Sequence, residues 1–458
     1  MAKPEIEIIK NAGIVGAGGA GFPSHVKFDA SVDTLIINGA ECEPMIHVDN
    51  QLLEKYFDRV FEGMRIAAGL VGARRTVLAL KAKYKDAIHI IEGYKNAKNP
   101  ASAGDLSGSA GNFDFEISKL ANFYPAGDEQ VLVYEVTGKI VPEGGIPLMV
   151  GVVVTNVETL LNVSNAMNGQ NVITKFVTVN GEVANPMTFE APVGTPVKML
   201  LELCGGITTD DYRVLDGGPM MGKLIDEADY ALKKITKSII VLPSDNIVIE
   251  HKVRSIKNAV KRAQAICLSC RMCTDLCPRY LLGHNLFPDE MMKKMYRGQL
   301  TDEDLEKFDF AYLCCDCGLC ELYSCVVDLS ARSLFNYIKA ELGRKGIKNP
   351  YNKKDLNTIE FRDYRKVPVG RLEKRLEIDK YDSKTPITPF ANDVKEVKLY
   401  LLQHLGAPCV PVVKNGDKVL RGQAVADIPE GKLGAKLHSS IDGTVYEVNE
   451  TCIIVKSG

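Results

Sequence analysis

Two short runs of cysteine carry the densest chemistry in the chain. CLSCRMCTDLCPR sets Cys267, Cys270, Cys273 and Cys277 at C-x2-C-x2-C-x3-C, with Pro278 next. CCDCGLCELYSC repeats the first intervals at Cys314, Cys317 and Cys320, and Cys325 follows after four residues. Thiolates at this spacing bind [4Fe–4S] clusters, because one tight turn can wrap three corners of a cubane while the fourth cysteine serves a neighbouring cluster. That rule assigns Cys267, Cys270, Cys273 and Cys325 to one cluster and Cys314, Cys317, Cys320 and Cys277 to the other. Pro278 suits the first position of a helix, where no amide donor is needed. The second run departs twice from the pattern: one extra residue precedes Cys325, and Val326 stands where proline is usual. Cys315 breaks the register and reads as a bystander. Zinc is the rival metal, but structural zinc prefers paired C-x2-C knuckles to triplets. Two clusters with no reactive side chain beside them make an electron conduit, so no catalytic residue is assigned.

The second candidate site is a glycine-rich loop. Residues 12–28 read AGIVGAGGAGFPSHVKF, with Gly16, Gly18, Gly19 and Gly21 crowded before Lys27. Such a loop lets backbone amides approach a phosphate, although alone it is often only a turn. A strand-like TLIING ends in Asn38, and AECEP follows with Glu41 and Glu43. Polar groups at the carboxyl end of a parallel strand are where open α/β sheets bind ligands.

GxGGAGFPxxxK, then N-x-x-E-x-E-P, then TNVET at Thr155–Thr159 resembles the flavin-binding module of the NADH-oxidising subunit of respiratory complex I. The RnfC proteins of Rnf complexes and the cobalamin reductases of propanediol-utilising microcompartments share that module. The resemblance implies that Gly16, Gly18, Gly19, Gly21 and Lys27 hold the FMN phosphate and ribityl chain. It implies further flavin contacts from Asn38, Glu41 and Asn156. Phe22 packs near the flavin or nicotinamide, or is ordinary core. The family's G-E-E run stands here as Gly127, Asp128 and Glu129, and Ala40 occupies the position of a family aspartate. Those two departures touch nicotinamide binding more than FMN binding.

The elements that must position these groups can be read more coarsely. Around residues 172–222, β-branched alternation, an Asn180–Gly181 turn and an amphipathic stretch at Val197–Cys204 predict a small ubiquitin-like α+β unit. It resembles the SLBB domain of the same families, and a spacer role is its plainest reading. Between Glu250 and Ile266, apolar residues recur at helical spacing, and Lys252, Arg254, Lys257, Lys261 and Arg262 cover the rest. That basic face is a solvated surface or a dock for an acidic partner. Residues 346–395 read as a polar linker. From Val397 to Gly458, G-D-x-V-x-x-G-Q and S-x-x-G-x-V resemble the half-barrels of biotinyl and lipoyl domains, though Lys432 lacks the usual neighbours of a carrier lysine. The same barrel-sandwich hybrid occurs in RnfC, at the opposite end of the chain. Flavin module first and barrel last resembles the cobalamin reductases. His25, His404 and His438 read as structural, and Cys42, Cys204, Cys409 and Cys452 as small core residues.

The fold class expected is therefore multidomain α/β and α+β. A complex I-like FMN-binding domain spans 1–168, an SLBB ubiquitin-like domain 169–248, and a helical ferredoxin-type two-[4Fe–4S] domain 249–345. The linker (346–395) and the barrel-sandwich hybrid (396–458) complete it. The 458 residues suit three or four units. Apolar residues at 46% and charged ones at 25% exclude large-scale disorder. A formal net charge of −2 gives no electrostatic reason for a nucleic-acid partner. No apolar stretch is long enough for a transmembrane segment, and MAKPEIEIIK has no signal core. A soluble cytoplasmic protein is expected, and the resemblance adds a microcompartment interior, with homo-oligomer formation left open. It implies an NADH-dependent oxidoreductase that passes electrons through FMN and two clusters to a corrinoid or a corrinoid-dependent enzyme. An electron-transfer subunit of a larger redox complex, like RnfC, is the alternative. A scaffold that has lost its flavin is a third.

Overall fold

The computed structural model describes residues 3–97, 113–295, 305–390 and 393–458. The N-terminal unit contains β1 (Thr34–Gly39), β2 (Arg75–Lys81), β3 (Glu116–Leu120), the short β4 (Phe123–Tyr124) and β5 (Val152–Asn156). Four of these form one parallel sheet in the order β3-β2-β1-β5. β1 and β5 are apolar and buried along most of their length, as parallel strands covered on both faces must be. Helices Phe57–Val71 and Val157–Met167 lie against each other so closely that a Cβ on Gly63 would stand 2.1 Å from the carbonyl oxygen of Leu160. Asn38 and Asn156 are register partners at the carboxyl edge of β1 and β5. The sheet thus brings together two side chains that lie 118 residues apart in sequence (156 − 38).

The next unit contains β6 (Thr174–Gly181), β7 (Met187–Pro192), β8 (Tyr212–Asp216), β9 (Lys223–Ile225) and β10 (Ser238–Pro243), with helix Val197–Leu203 beneath. The β6–β7 hairpin turns through 182–186, not at Asn180–Gly181, which lie inside β6. Asn180 is buried there because its amide donates to the Met45 carbonyl of the first unit at 3.2 Å.

The cysteine-bearing unit is helical. The apolar stretch before Cys267 divides into helices Ile247–Val253 and Ile256–Ile266, because Ser255 caps the second one through the Asn258 amide. Ala259 and Ala263 face the core, which also takes Met291, Phe308, Leu334, Phe335 and Ile338.

The segment 346–395, expected as a linker, is anchored along the second half of its described residues 346–390. β11 (Val367–Pro368) pairs with β4, and β12 (Ile387–Thr388) extends the β6–β7 sheet. Helix Val369–Arg375 buries Leu372 into a core shared with Tyr124, Met220, Ile240 and Cys317. Its apolar residues come in bursts too short to show a period in sequence. The last unit carries β13 (Glu396–Tyr400), β14 (Val410–Pro411), β15 (Lys418–Val419), β16 (Ala424–Asp427), β17 (Leu437–His438), β18 (Gly443–Val448) and β19 (Cys452–Lys456). They form two sheets over Val397, Leu399, Val425, Ile453 and Val455. Among the described residues no helix is long and apolar enough to cross a membrane.

Candidate flavin and iron–sulfur sites

The glycine loop is pinched shut at its base. Gly16 N–H donates to the Phe22 carbonyl at 2.9 Å, and Val15 bridges Pro23. Gly18, Gly19 and Ala20 stand exposed at the tip, while Phe22 is half-buried. The amide of Ala17 donates to Thr159 Oγ1 at 2.9 Å and ties the loop to helix Val157–Met167. Gly19 has φ +128°, a left-handed conformation that favours glycine. A Cβ on Gly18 would make only ordinary contact with the Asn156 side chain, at 3.5 Å. Gly21 is covered from other units: a Cβ there would stand 2.8 Å from Ile235 and 3.1 Å from His404 Cα. Leu405 N–H donates to its carbonyl at 3.0 Å.

Around this loop the strand ends converge. Lys27 Nζ donates to Glu129 Oε1 at 2.8 Å and to the Val154 carbonyl at 3.0 Å. Asn38 donates to the Gly127 carbonyl at 2.9 Å and accepts from the Ala40 amide at 3.1 Å. A Cβ on Gly127 would stand 2.6 Å from the Ala40 carbonyl oxygen, so only glycine lets these two loops cross. Asn156 caps helix Val157–Met167 and donates to Asp49 Oδ2 at 2.8 Å. Glu41 accepts from the Asp49 amide at 3.2 Å, and its Oε1 is buried without a partner. Burial, with the Asp49 carboxylate beside it, pushes its carboxyl up to about 8. These residues fit an FMN: an exposed glycine tip beside a lysine suits the phosphate, and orphaned and amide groups at the strand ends suit a polar ring.

Asp128 departs from this set. Its oxygens cap helix Glu129–Thr137 and take both guanidinium nitrogens of Arg279, at 2.6 and 2.9 Å. Burial alone would raise this carboxyl, but Arg279 outweighs it and holds it below the usual range. The structure therefore gives Asp128 to the contact with the cysteine-bearing unit rather than to an open ligand position. Glu43 is engaged as well, accepting the amides of Met220 and Met221 at 3.0 Å each. Glycine at 218 permits this, since a Cβ would stand 2.1 Å from Glu43 Oε2.

Sequence reasoning missed Lys237. It lies at the foot of β10, in the second unit, yet donates to Asp49 Oδ1 at 2.5 Å and approaches Glu158 at 3.4 Å. Lys175 donates to the same Glu158. Burial alone would lower the Lys237 ammonium, but Asp49 and Glu158 outweigh it and raise it. Through Asp49 this buried cluster fixes the amide of Asn156. Nothing in KKITKSII distinguishes Lys237 from its neighbours.

The two cysteine runs share one backbone path. Ser269 and Arg271 flank Cys270 with φ of 51° and 67°, and Asp316 and Gly318 flank Cys317 with φ of 60° and 79°. Such left-handed steps cost energy in residues other than glycine and cluster at ligand clamps. Cys267, Cys270, Cys273 and Cys325 line one pocket, with Cys320 also at its wall. In the second run Cys314, Cys317 and Cys320 come into one electrostatic neighbourhood with Cys277, which caps helix Pro278–Leu281. Cys315 joins that neighbourhood and hydrogen-bonds Cys317. Burial pushes the Cys273 thiol up to about 12 and the Cys314 thiol to about 11, the latter with help from Cys315. No group of three or more described His, Cys, Asp or Glu side chains is drawn tightly enough to hold a single metal ion. The donor set, thiols only and in two groups, fits two cubanes.

The second group lies against the flavin unit. Tyr124 OH donates to the Cys317 carbonyl at 2.8 Å, and Cys42 and Met45 share a core with Cys315, Cys317 and Leu319. The first group faces outward: Cys270 is exposed, and Leu268 and Val326 are each 63% exposed.

Comparison with known proteins matches these units one by one. Residues 9–165 match the Nuo51 FMN-binding domain, 176–224 the SLBB domain, 266–330 the 4Fe-4S dicluster domain, and 376–458 the RnfC barrel sandwich hybrid domain. Cobalamin reductase PduS of Citrobacter freundii is 39% identical over 99% of this chain and 96% of its own. PduS of Salmonella typhimurium strain LT2 is 38% identical over the same shares. One subunit of the Na(+)-translocating ferredoxin:NAD(+) oxidoreductase complex of Acetobacterium woodii is 31% identical over 61% of this chain and 59% of its own. Identity at the level of the PduS proteins, along nearly the whole length, places the chain in the PduS cobalamin reductase family, as a flavo-iron–sulfur oxidoreductase.

Proposed function

We propose that the chain carries electrons from NADH through FMN and two [4Fe–4S] clusters to a corrinoid. The single observation that carries this reading is the contact of the buried cysteine group with the flavin unit at Tyr124–Cys317 and Asp128–Arg279, while the other group faces solvent. It supports an order from flavin to the Cys277, Cys314, Cys317 and Cys320 cluster, then to the Cys267, Cys270, Cys273 and Cys325 cluster, then out. Bound flavin supplies two-electron acceptance and one-electron release, which clusters require. The chain's own residues bind and orient. Lys27 would neutralise the phosphate beside the tip formed by Gly18 and Gly19, with Gly16 and Gly21 closing its base. Asn38 and Asn156 present amides from adjacent strand ends. Glu41, its carboxyl raised to about 8 by burial and the Asp49 carboxylate, would offer a bound flavin a donor. Glu129, paired with Lys27 at 2.8 Å, would give up that pair to a bound phosphate. Gly127 lets its loop cross close to Ala40, and the Phe22 carbonyl closes the base of the glycine loop.

The names of the PduS relatives support the corrinoid. A cytoplasmic place, within a microcompartment, and the domain limits 1–168, 169–248, 249–345 and 396–458 belong to the same proposal. Anaerobic mixing with NADH and aquacobalamin, followed by absorbance, tests it: flavin should bleach and the cobalamin spectrum should shift. Flavin bleaching without cobalamin reduction would favour the second reading, a subunit of a larger redox complex. The likeness to the Acetobacterium protein supports that reading, and co-elution with partner subunits on gel filtration of lysate would establish it.

A further inference from the structure

The outward cysteine group sits in an apolar ring with a positive rim. Leu268, Val326 and the exposed Cys270 line its mouth, and Met272 stands beside them, 40% exposed. The chain from His251 to Thr274 contains no carboxylate, although the protein as a whole is slightly negative. Helix Ile256–Ile266 presents exposed Lys257, Lys261 and Arg262 on its outer side. Arg262 reaches the carbonyl of Val327, at the wall of the same pocket. Lys257 and Lys261 have no ion-pair partner among the described residues. Three carboxylates at or near the pocket are already paired: Asp328 with Arg375 at 2.6 Å, Asp289 with Lys293 at 2.7 Å, and Asp275 with Arg271 at 3.4 Å. The rim therefore keeps an uncompensated positive field around a desolvated centre. Such a pattern steers an acidic partner and lets it dry the contact.

We propose that this face docks an acidic redox protein. Charge sets the sign of the partner, because a basic rim attracts carboxylates and offers a cation nothing. Resting on the electron route proposed above, the step is simple: one electron leaves the cluster held by Cys267, Cys270, Cys273 and Cys325, and the partner's centre gains it. No bond forms or breaks, and no proton moves.

The test uses the full chain with its clusters, oxidised and without NADH, and an acidic two-cluster bacterial ferredoxin as probe. Binding is measured by calorimetry across a salt series. Affinity should fall as salt rises, and Lys257→Glu/Lys261→Glu should weaken binding about tenfold at low salt, with the difference vanishing at high salt. Lys414→Glu/Lys432→Glu, exposed in the barrel, changes net charge equally and should bind as wild type. Leu268→Asp should also weaken binding, and iron content reports whether its cluster survives. Equal binding by the Lys257/Lys261 variant, or equal loss in the barrel control, overturns the proposal. So does a rate of aquacobalamin reduction that falls with Lys257→Glu/Lys261→Glu while ferredoxin binding does not. Because binding is read without NADH, failure of the NADH-to-corrinoid reading leaves this measurement intact and is told apart from it.

Discussion

The two cysteine runs share their spacing and their left-handed turns, yet they occupy opposite settings. The first surrounds a pocket open to solvent, and its middle cysteine, Cys270, is exposed. The second is packed under Tyr124, Met220 and Leu372, and its middle cysteine, Cys317, is buried. The departures of the second run fit this difference. The extra residue before Cys325 lets Ser324 place both its amide and its hydroxyl on the Leu319 carbonyl, at 2.8 and 2.9 Å. Cys325 starts no helix, and the next one begins only at Ala331, so proline has no role at 326. Cys277 does cap a helix, and Pro278 is its first residue. One local design, repeated, thus stands in one exposed and one buried setting, and burial and second-layer hydrogen bonds can tune a cluster independently of its ligands.

The sharpest way to break the comparison is to remove one cluster and keep the other. Cys270→Ala should halve the iron, roughly, and cut acceptor reduction at least about a thousandfold, ~4.1 kcal/mol of barrier, while NADH still bleaches the flavin. Acceptor reduction at full rate in that variant would remove the exposed cluster from the path. Next in size is the pair of arginines two residues beyond an assigned ligand or beside one. Arg279→Gln leaves Asp128 buried and unpaired and should cost about 3 kcal/mol or more in denaturant unfolding. Arg271→Gln, at the exposed run, should cost no more than about 1 kcal/mol. Equal costs would mean that the two settings do not differ as described.

Acid should also strike the buried side. His284 is buried against the Val141 carbonyl at 3.1 Å, and burial with Arg279 nearby lowers it from 6.5 to about 4. The unfolded chain takes up a proton that the folded one refuses. Stability present above pH 6.5 is therefore lost as pH falls towards 4, at up to about 1.4 kcal/mol per pH unit. His284→Gln should flatten that slope, and an unchanged slope would count against it. The smallest effect is expected from Tyr124→Phe. Losing its bond to the Cys317 carbonyl should cost about 1–2 kcal/mol of stability. In a redox titration followed by paramagnetic resonance it should move one cluster's potential and leave the other in place. A shift in both, or in neither, would blur the distinction between the runs.

Sequence alone picked out the two cysteine runs and the glycine loop. Cysteine spacing and a glycine loop are local, and each turn is encoded by its own neighbours. The order of modules was equally legible, since each carries its own motif. Tertiary structure alone decided how those modules address one another. Lys237 reaches Asp49 across 188 positions, Arg279 reaches Asp128 across 151, and the Met220–Met221 amides hold Glu43 across about the same distance. Lysine, arginine and aspartate are common surface residues, and nothing in their sequence neighbourhood marks the few that become buried. Only the packing of whole units removes water from these charges, and so only the fold shows which cysteine group faces the flavin and which faces out.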